Sequence, residues 1–175
     1  MNEDYIAWRE VETSSLLLIE GKPGSGKSTL VKRILSTLLP DHQATDNETD
    51  SPLVAYFFYS YRGGALETSH QVMLQSILYQ LLRQELTKLY PLFRKAYRRR
   101  LRHRIHEWEM ADLVQILSSL QNFDLGKRFF IILDGMDESE SQTDGVNWRS
   151  GVLDLLVNIC SSSTCIIKAL IATGH

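Results

Sequence analysis

The sequence is short of most features that would mark a secreted, membrane-spanning or nucleic-acid-coating protein. It holds only two cysteines, Cys160 and Cys165, which form neither a metal-spaced cluster nor a disulfide framework. Two small buried thiols in a reducing interior are expected. No apolar run approaches the roughly 18 residues that cross a bilayer, and the opening MNEDYIAWREVE is too acidic and polar for a signal peptide. A formal net charge of −2 leaves no global excess to draw the chain to nucleic acid or to an acidic membrane. The expectation is a soluble, cytoplasmic protein with neither membrane nor nucleic acid among its partners. There is no internal repeat, and no biased tract apart from one acidic loop.

What is present is an ordinary globular composition: 175 residues, 43% hydrophobic and 23% charged, enough for one domain with a sizeable core. SLLLIE (15–20) is short, apolar and followed by glycine, which predicts a buried parallel strand. Helical spacing starts at Ser28 and runs through Leu30, Ile34, Leu35 and Leu38 until Pro40 stops it. The stretch from Pro40 to Pro52 has too little apolar surface to order itself and reads as a long surface loop. LVAYFFYSY (53–61) is aromatic and β-branched, a second strand closed by Gly63 and Gly64. A wide apolar stripe then runs from Val72 through Leu86 and Leu89 on one long helix, interrupted at Pro91. A helix over Met110–Leu120, a strand in RFFIILD (128–134), a helix over Val152–Ile159 and a strand over Thr164–Thr173 complete the alternation. The predicted fold class is α/β, a parallel sheet covered on both faces.

Two motifs carry chemistry. Gly21, Gly26, Lys27 and Ser28 match G-x-x-x-x-G-K-[ST] between a predicted strand and a predicted helix, where the phosphate-cradling mechanism needs them. A random chain of this length matches the pattern roughly once in 150. Glycines let successive N–H groups point inward, Lys27 reaches the β and γ phosphates, and the Ser28 hydroxyl ligands Mg²⁺. The second motif is FFIILDGMDE (129–138). Asp134, at the C-terminal end of a buried strand, is placed to hold Mg²⁺ directly or through water. Asp137 or Glu138, within the next turn, is a candidate to orient or deprotonate an attacking water; the plainer reading makes them solvated loop carboxylates.

Together, GKPGSGKST, FFIILDGMDE and the intervening VAYFFYSYRGG with SHQVMLQSILYQLL resemble the NACHT-type P-loop NTPase domains of the STAND class. The nearest likeness is to the nephrocystin 3-like N-terminal domains of filamentous fungi, and it covers nearly the whole chain. The resemblance implies a three-layer P-loop NTPase fold of the ASCE/STAND type, with the Thr164–Thr173 strand between the two motif-bearing strands. It implies an ATP-binding, less often GTP-binding, switch that oligomerises on activation and serves self/non-self recognition or cell death. By carry-over, Gly21, Pro23, Gly24, Ser25, Gly26, Lys27, Ser28 and Thr29 hold the nucleotide, Ser28 and Asp134 the Mg²⁺, and Asp137 or Glu138 the water. Residues 1–14 are then a lead-in, and 15–175 the nucleotide-binding domain, truncated after its fourth strand. Self-association, or docking to other domains of a larger STAND protein, is the expected partnership. Where such domains close the fourth strand with Ser-Ser-Arg-Pro, whose arginine senses the γ-phosphate, this chain has ATGH (172–175). Slow hydrolysis is therefore expected, since such an arginine is worth roughly 10³ to 10⁵ in rate.

The basic run RKAYRRRLRHRIH (94–106) is expected to spread its arginines around most of a helix, snorkelling about an apolar side of Leu92, Phe93, Ala96, Tyr97 and Leu101. Two functional alternatives stay open. One is a nucleotide-binding interaction module without useful hydrolysis; the other is a P-loop kinase of small molecules, with the basic run as a lid. A Ras-like GTPase is disfavoured because no N-K-x-D tetrapeptide is present.

Overall fold

Four apolar segments pair side by side into one parallel sheet: β1 (Ser15–Glu20), β2 (Leu53–Phe58), β3 (Phe129–Asp134) and β4 (Ile167–Thr173), in the order β1-β4-β3-β2. In the computed structural model the described residues are 3–39, 51–103, 107–123, 126–140, 147–161 and 164–174. Most of the acidic stretch read as a surface loop (40–50) lies outside them.

Because side chains alternate across a strand, β3 feeds two cores at once. Phe129, Ile131 and Leu133 face α4 (His70–Gln84), α6 (Met110–Ser119) and α7 (Trp148–Ile159), while Phe130 and Ile132 face α1 (Glu3–Glu10) and α2 (Lys27–Leu38). The result is three layers, helix on sheet on helix, as the apolar strands require. The lead-in joins the fold: α1 buries Tyr5 and Trp8, the Trp8 ring meets Phe130 edge-on at 5.6 Å, and its Nε1–H donates to the Ser15 carbonyl.

Several elements differ from the sequence reading. SLLLIE is a strand, but within the described residues β1 pairs only with β4, and Leu18 is 48% exposed instead of buried. In α2 it is Val31 that is buried, with Leu30 turned outward. β2 ends at Phe58, after which Tyr61–Gly63 make a short 3₁₀ turn and Ala65–Thr68 a one-turn helix, α3. The long stripe is two helices. α4, capped by the Ser69 side chain at its N-terminus, breaks at Glu85, whose backbone is non-helical (φ −143°, ψ 67°), and α5 runs from Leu86 to His103 with Pro91 inside it. The apolar spacing continues across that break, so the stripe concealed it.

The outer edge of β2 has an unusual closure. Gln84 receives the Val54 N–H (2.9 Å) and donates to the Val54 carbonyl (2.7 Å), and Gln80 does the same with Tyr56 at 3.1 and 2.8 Å. Residues four apart on a helix and two apart on a strand repeat at nearly the same distance, so two glutamine amides take the place of a neighbouring strand on an edge that would otherwise be open to pairing.

The basic run is more ordered than expected. Arg100 is buried, bonded to Asp112 at 3.1 Å and stacked 4.6 Å over Trp108, and Arg99 binds the other oxygen of the same carboxylate. Arg104 lies outside the described residues. Both cysteines are buried and neither is in a disulfide; Cys165 Sγ donates to the Leu120 carbonyl at 3.0 Å, and burial pushes Cys160 up to about 11, which leaves it inert.

Candidate functional site

Both motif-bearing strands end at the same edge of the sheet. Glu20 of β1 is level with Thr173 of β4, and Asp134 of β3 is level with Ala172 of β4 and Phe58 of β2. Parallel pairing through β4 therefore brings GKPGSGKST and DGMDE to one rim, the C-terminal one where open α/β sheets place their ligands.

The first loop is built by its glycines. Gly24 (φ 76°) and Gly26 (φ 87°) occupy the left-handed region that other residues adopt only at a cost. Gly26 is also the cap of α2, and no side chain caps that helix; its first intrahelical bond runs from the Leu30 N–H to the Gly26 carbonyl. The N–H groups of the first turn thus point out of the helix uncapped by any side chain, with the helix dipole behind them. Lys27 folds back over the loop, donating to the carbonyls of Gly21 (2.6 Å) and Lys22 (3.1 Å). Pro23, Gly24, Ser25, Gly26, Ser28 and Thr29 are exposed, and Gly21 and Lys27 half-buried. A side chain at Gly21 would meet Ser25 Oγ at 2.9 Å.

The acidic loop is held far more tightly. Asp134 is buried, and its Oδ1 has no hydrogen-bond partner. Gly135 (φ 72°) lies against β2's exit: an added Cβ would sit 2.9 Å from the Tyr59 carbonyl, while the Tyr59 N–H donates to the Asp134 carbonyl at 2.8 Å. The chain then makes a 3₁₀ turn over Met136–Glu138. Asp137 Oδ1 accepts the Gly174 N–H (2.6 Å), and Glu138 Oε2 accepts the Tyr61 N–H (2.9 Å). Neither is a freely solvated loop carboxylate.

Two supports were not legible in the sequence. Arg149, at the start of α7, donates to the carbonyls of Asp137 and Ser139 and to Ser139 Oγ, gathering the loop from below. His70, at the start of α4, joins the loop to β2. Its Nε2 faces the Glu140 carbonyl at 2.9 Å, so that nitrogen carries a hydrogen, and in the neutral ring Nδ1 accepts from the Tyr59 hydroxyl at 2.9 Å. Burial, with a smaller contribution from Arg149, outweighs the Glu140 carbonyl and carboxylate and holds His70 below the usual imidazole range; burial, then Glu140, pushes the Tyr59 phenol up. These partners lie 70 or more positions apart, or across residues with no pattern of their own.

Among the described residues no three His, Cys, Asp or Glu side chains group as a metal cage. A Mg²⁺ ion does not need one, since it is commonly held by one or two carboxylates together with substrate phosphates and water. The buried, unpartnered Asp134 Oδ1, at the same sheet edge as the exposed Ser28, fits that kind of site.

A parallel sheet with one strand between the strand before the glycine loop and the strand ending in aspartate defines the P-loop NTPase fold, in the branch with that added strand. Within it, the chain belongs to the family described as Nephrocystin 3, N-terminal, whose model matches residues 1–173. The pCW3 conjugation coupling protein TcpA, solved in its monomer form with ATPgS, is similar to the chain at 16% identity and a TM-score of 0.38, over 93% of this chain and 43% of that one. The chain thus spans less than half of that protein's length. No curated protein matches it. Among the described residues no helix is long and apolar enough to cross a membrane.

Proposed function

We propose that this domain binds a nucleoside triphosphate, ATP or GTP, with Mg²⁺, and hydrolyses it slowly as the switch core of a STAND-type signalling protein. The observation that carries the reading is the shared rim: an uncapped helix start with a lysine and two left-handed glycines, set beside an aspartate whose buried Oδ1 lacks a partner. Residues 15–175 serve as the nucleotide-binding domain, with α1 packed against it.

Each candidate residue has a part in this reading. Gly21, Pro23, Gly24, Ser25 and Gly26 shape the loop, and its N–H groups with those of Lys27, Ser28 and Thr29 take the phosphate oxygens. Lys27 exchanges its loop carbonyls for the β and γ phosphates. Ser28 and Asp134 hold Mg²⁺, which when bound neutralises charge gathering on the transferred phosphoryl group. Glu138 or Asp137 orients the water, but each already accepts a backbone N–H. The other oxygen of each, Glu138 Oε1 and Asp137 Oδ2, keeps acceptor capacity for a water. Gly174, at the position where the resemblance expects a sensor arginine, gives its N–H to Asp137. Slow hydrolysis suits a switch that must persist in its loaded state, and self-association or contact with other domains would read that state out.

Titration calorimetry with MgATP and MgGTP, combined with phosphate-release assays, tests the reading. Lys27→Ala is expected to weaken binding by about 100-fold or more, the scale of losing two charge-assisted phosphate contacts. Glu138→Gln is expected to bind normally and release phosphate more slowly. Unchanged affinity in the Lys27 variant would remove the assignment; binding without any release would favour the interaction module, and transfer to a small-molecule acceptor the kinase.

A further inference from the structure

We infer that the cleft between α5 and α6 is a second anion site, built for a small molecule carrying several phosphate groups. The inference does not rest on the nucleotide reading, because the cleft and the glycine loop share no residue.

A cavity of about 570 Å³ opens between the two helices, within the range of small-molecule pockets. One wall carries Arg94, Lys95, Arg98, Arg99 and Arg102. These positions fall within roughly 140° of arc and along roughly 12 Å of helix. The run as a whole spreads around most of the helix, as expected, but these five fall on one side of it. They are the members that share a face, while Arg100 turns inward.

Charge is not balanced there. Asp112 is the one carboxylate on the cleft wall, and both Arg99 and Arg100 are committed to it. Arg100 is 5% exposed, and its Nη2 remains buried with no hydrogen-bond partner. Two guanidiniums on one carboxylate leave the seam itself positive. Arg94, Lys95, Arg98 and Arg102 are exposed, and among the described residues none of them makes an ion pair. Arg94, Arg98 and Arg102 follow one another at four-residue spacing, where like charges repel along a helix. A surface helix ordinarily relieves such crowding with interleaved acids; here no acid lies between Arg94 and Arg102.

That arrangement specifies its ligand. Guanidinium forks match phosphate oxygens in pairs, and a single phosphate would engage one end of a 12 Å row. A compact molecule with phosphates on several sides uses all four cations, with Gln115 and Ser119 as neutral groups opposite. A long nucleic acid would meet a bounded cleft on a chain of net charge −2, a poor electrostatic track.

The test is calorimetry of the full chain with inositol hexakisphosphate as probe, on wild type, Arg98→Ser/Arg102→Ser and Lys27→Ala. One-to-one binding is expected in wild type and Lys27→Ala, weakened about 100-fold in the double variant at roughly tenfold per charged contact. The double variant should melt no lower than wild type, because it relieves repulsion and breaks no pair; if it does melt lower, Arg94→Ser is read in its place. Equal affinity in the arginine variants, loss of binding in Lys27→Ala instead, or tighter binding to single-stranded oligonucleotides or anionic vesicles than to the probe would each overturn the inference.

Discussion

The two strands that lead into the rim are made of similar residues and sit very differently. β3 is buried at all six positions and flanked on both sides, whereas β1 has, among the described residues, a neighbour only in β4 and leaves Leu18 half in solvent. The loops inherit the contrast. The loop after β3 is fastened to β2, α3's approach, α4, α7 and β4 by hydrogen bonds, while the loop after β1 is held by its own backbone and by Lys27. The carboxylate side of the rim is thus fixed in advance. The glycine side is tied mainly to itself.

Matched glycine substitutions sharpen this comparison most. Gly135 and Gly24 have nearly the same φ, 72° and 76°, but a Cβ at Gly135 meets the Tyr59 carbonyl at 2.9 Å and one at Gly24 meets nothing within 4 Å. Gly24→Ala should cost only the left-handed strain, about 1 kcal/mol. Gly135→Ala adds a clash with backbone that cannot move freely, and should cost roughly 3 kcal/mol or more of stability. Denaturant titration of both variants checks this, and equal losses would break the contrast.

A smaller effect concerns acid. His70 has its folded-state affinity for protons lowered, chiefly by burial. Below the ordinary imidazole value of about 6.5 the unfolded chain takes up the proton first, so stability should fall as pH drops through that value and go on falling until the folded ring titrates. Protonation at Nδ1 makes the Tyr59 hydroxyl turn from donor to acceptor in the 2.9 Å bond between them. His70→Gln should flatten the pH dependence of the melting temperature between pH 7 and 5.

The strands and both motifs were legible because fully buried parallel strands write themselves as unbroken apolar runs, and because each motif has a mechanism that demands its neighbours. Which strand sits at an edge was not, since SLLLIE and FFIILD differ little in composition. The break at Glu85 was hidden because Leu82, Leu86 and Leu89 keep helical spacing across it, and Pro91 drew the boundary to the wrong place. The burial of α1 rests on two side chains, Tyr5 and Trp8, in an otherwise polar segment. The Arg100–Asp112 pair spans two helices and leaves no local pattern.

The central claim is that the two loops make one site, with Asp134 acting on nucleotide only through the metal. ATP affinity of wild type and Asp134→Asn, each measured by calorimetry with Mg²⁺ and with a chelator, tests it most directly. The account predicts that the variant loses the Mg²⁺-dependent gain in affinity and matches wild type in chelator. An equal loss with and without Mg²⁺, or none in either, would contradict it.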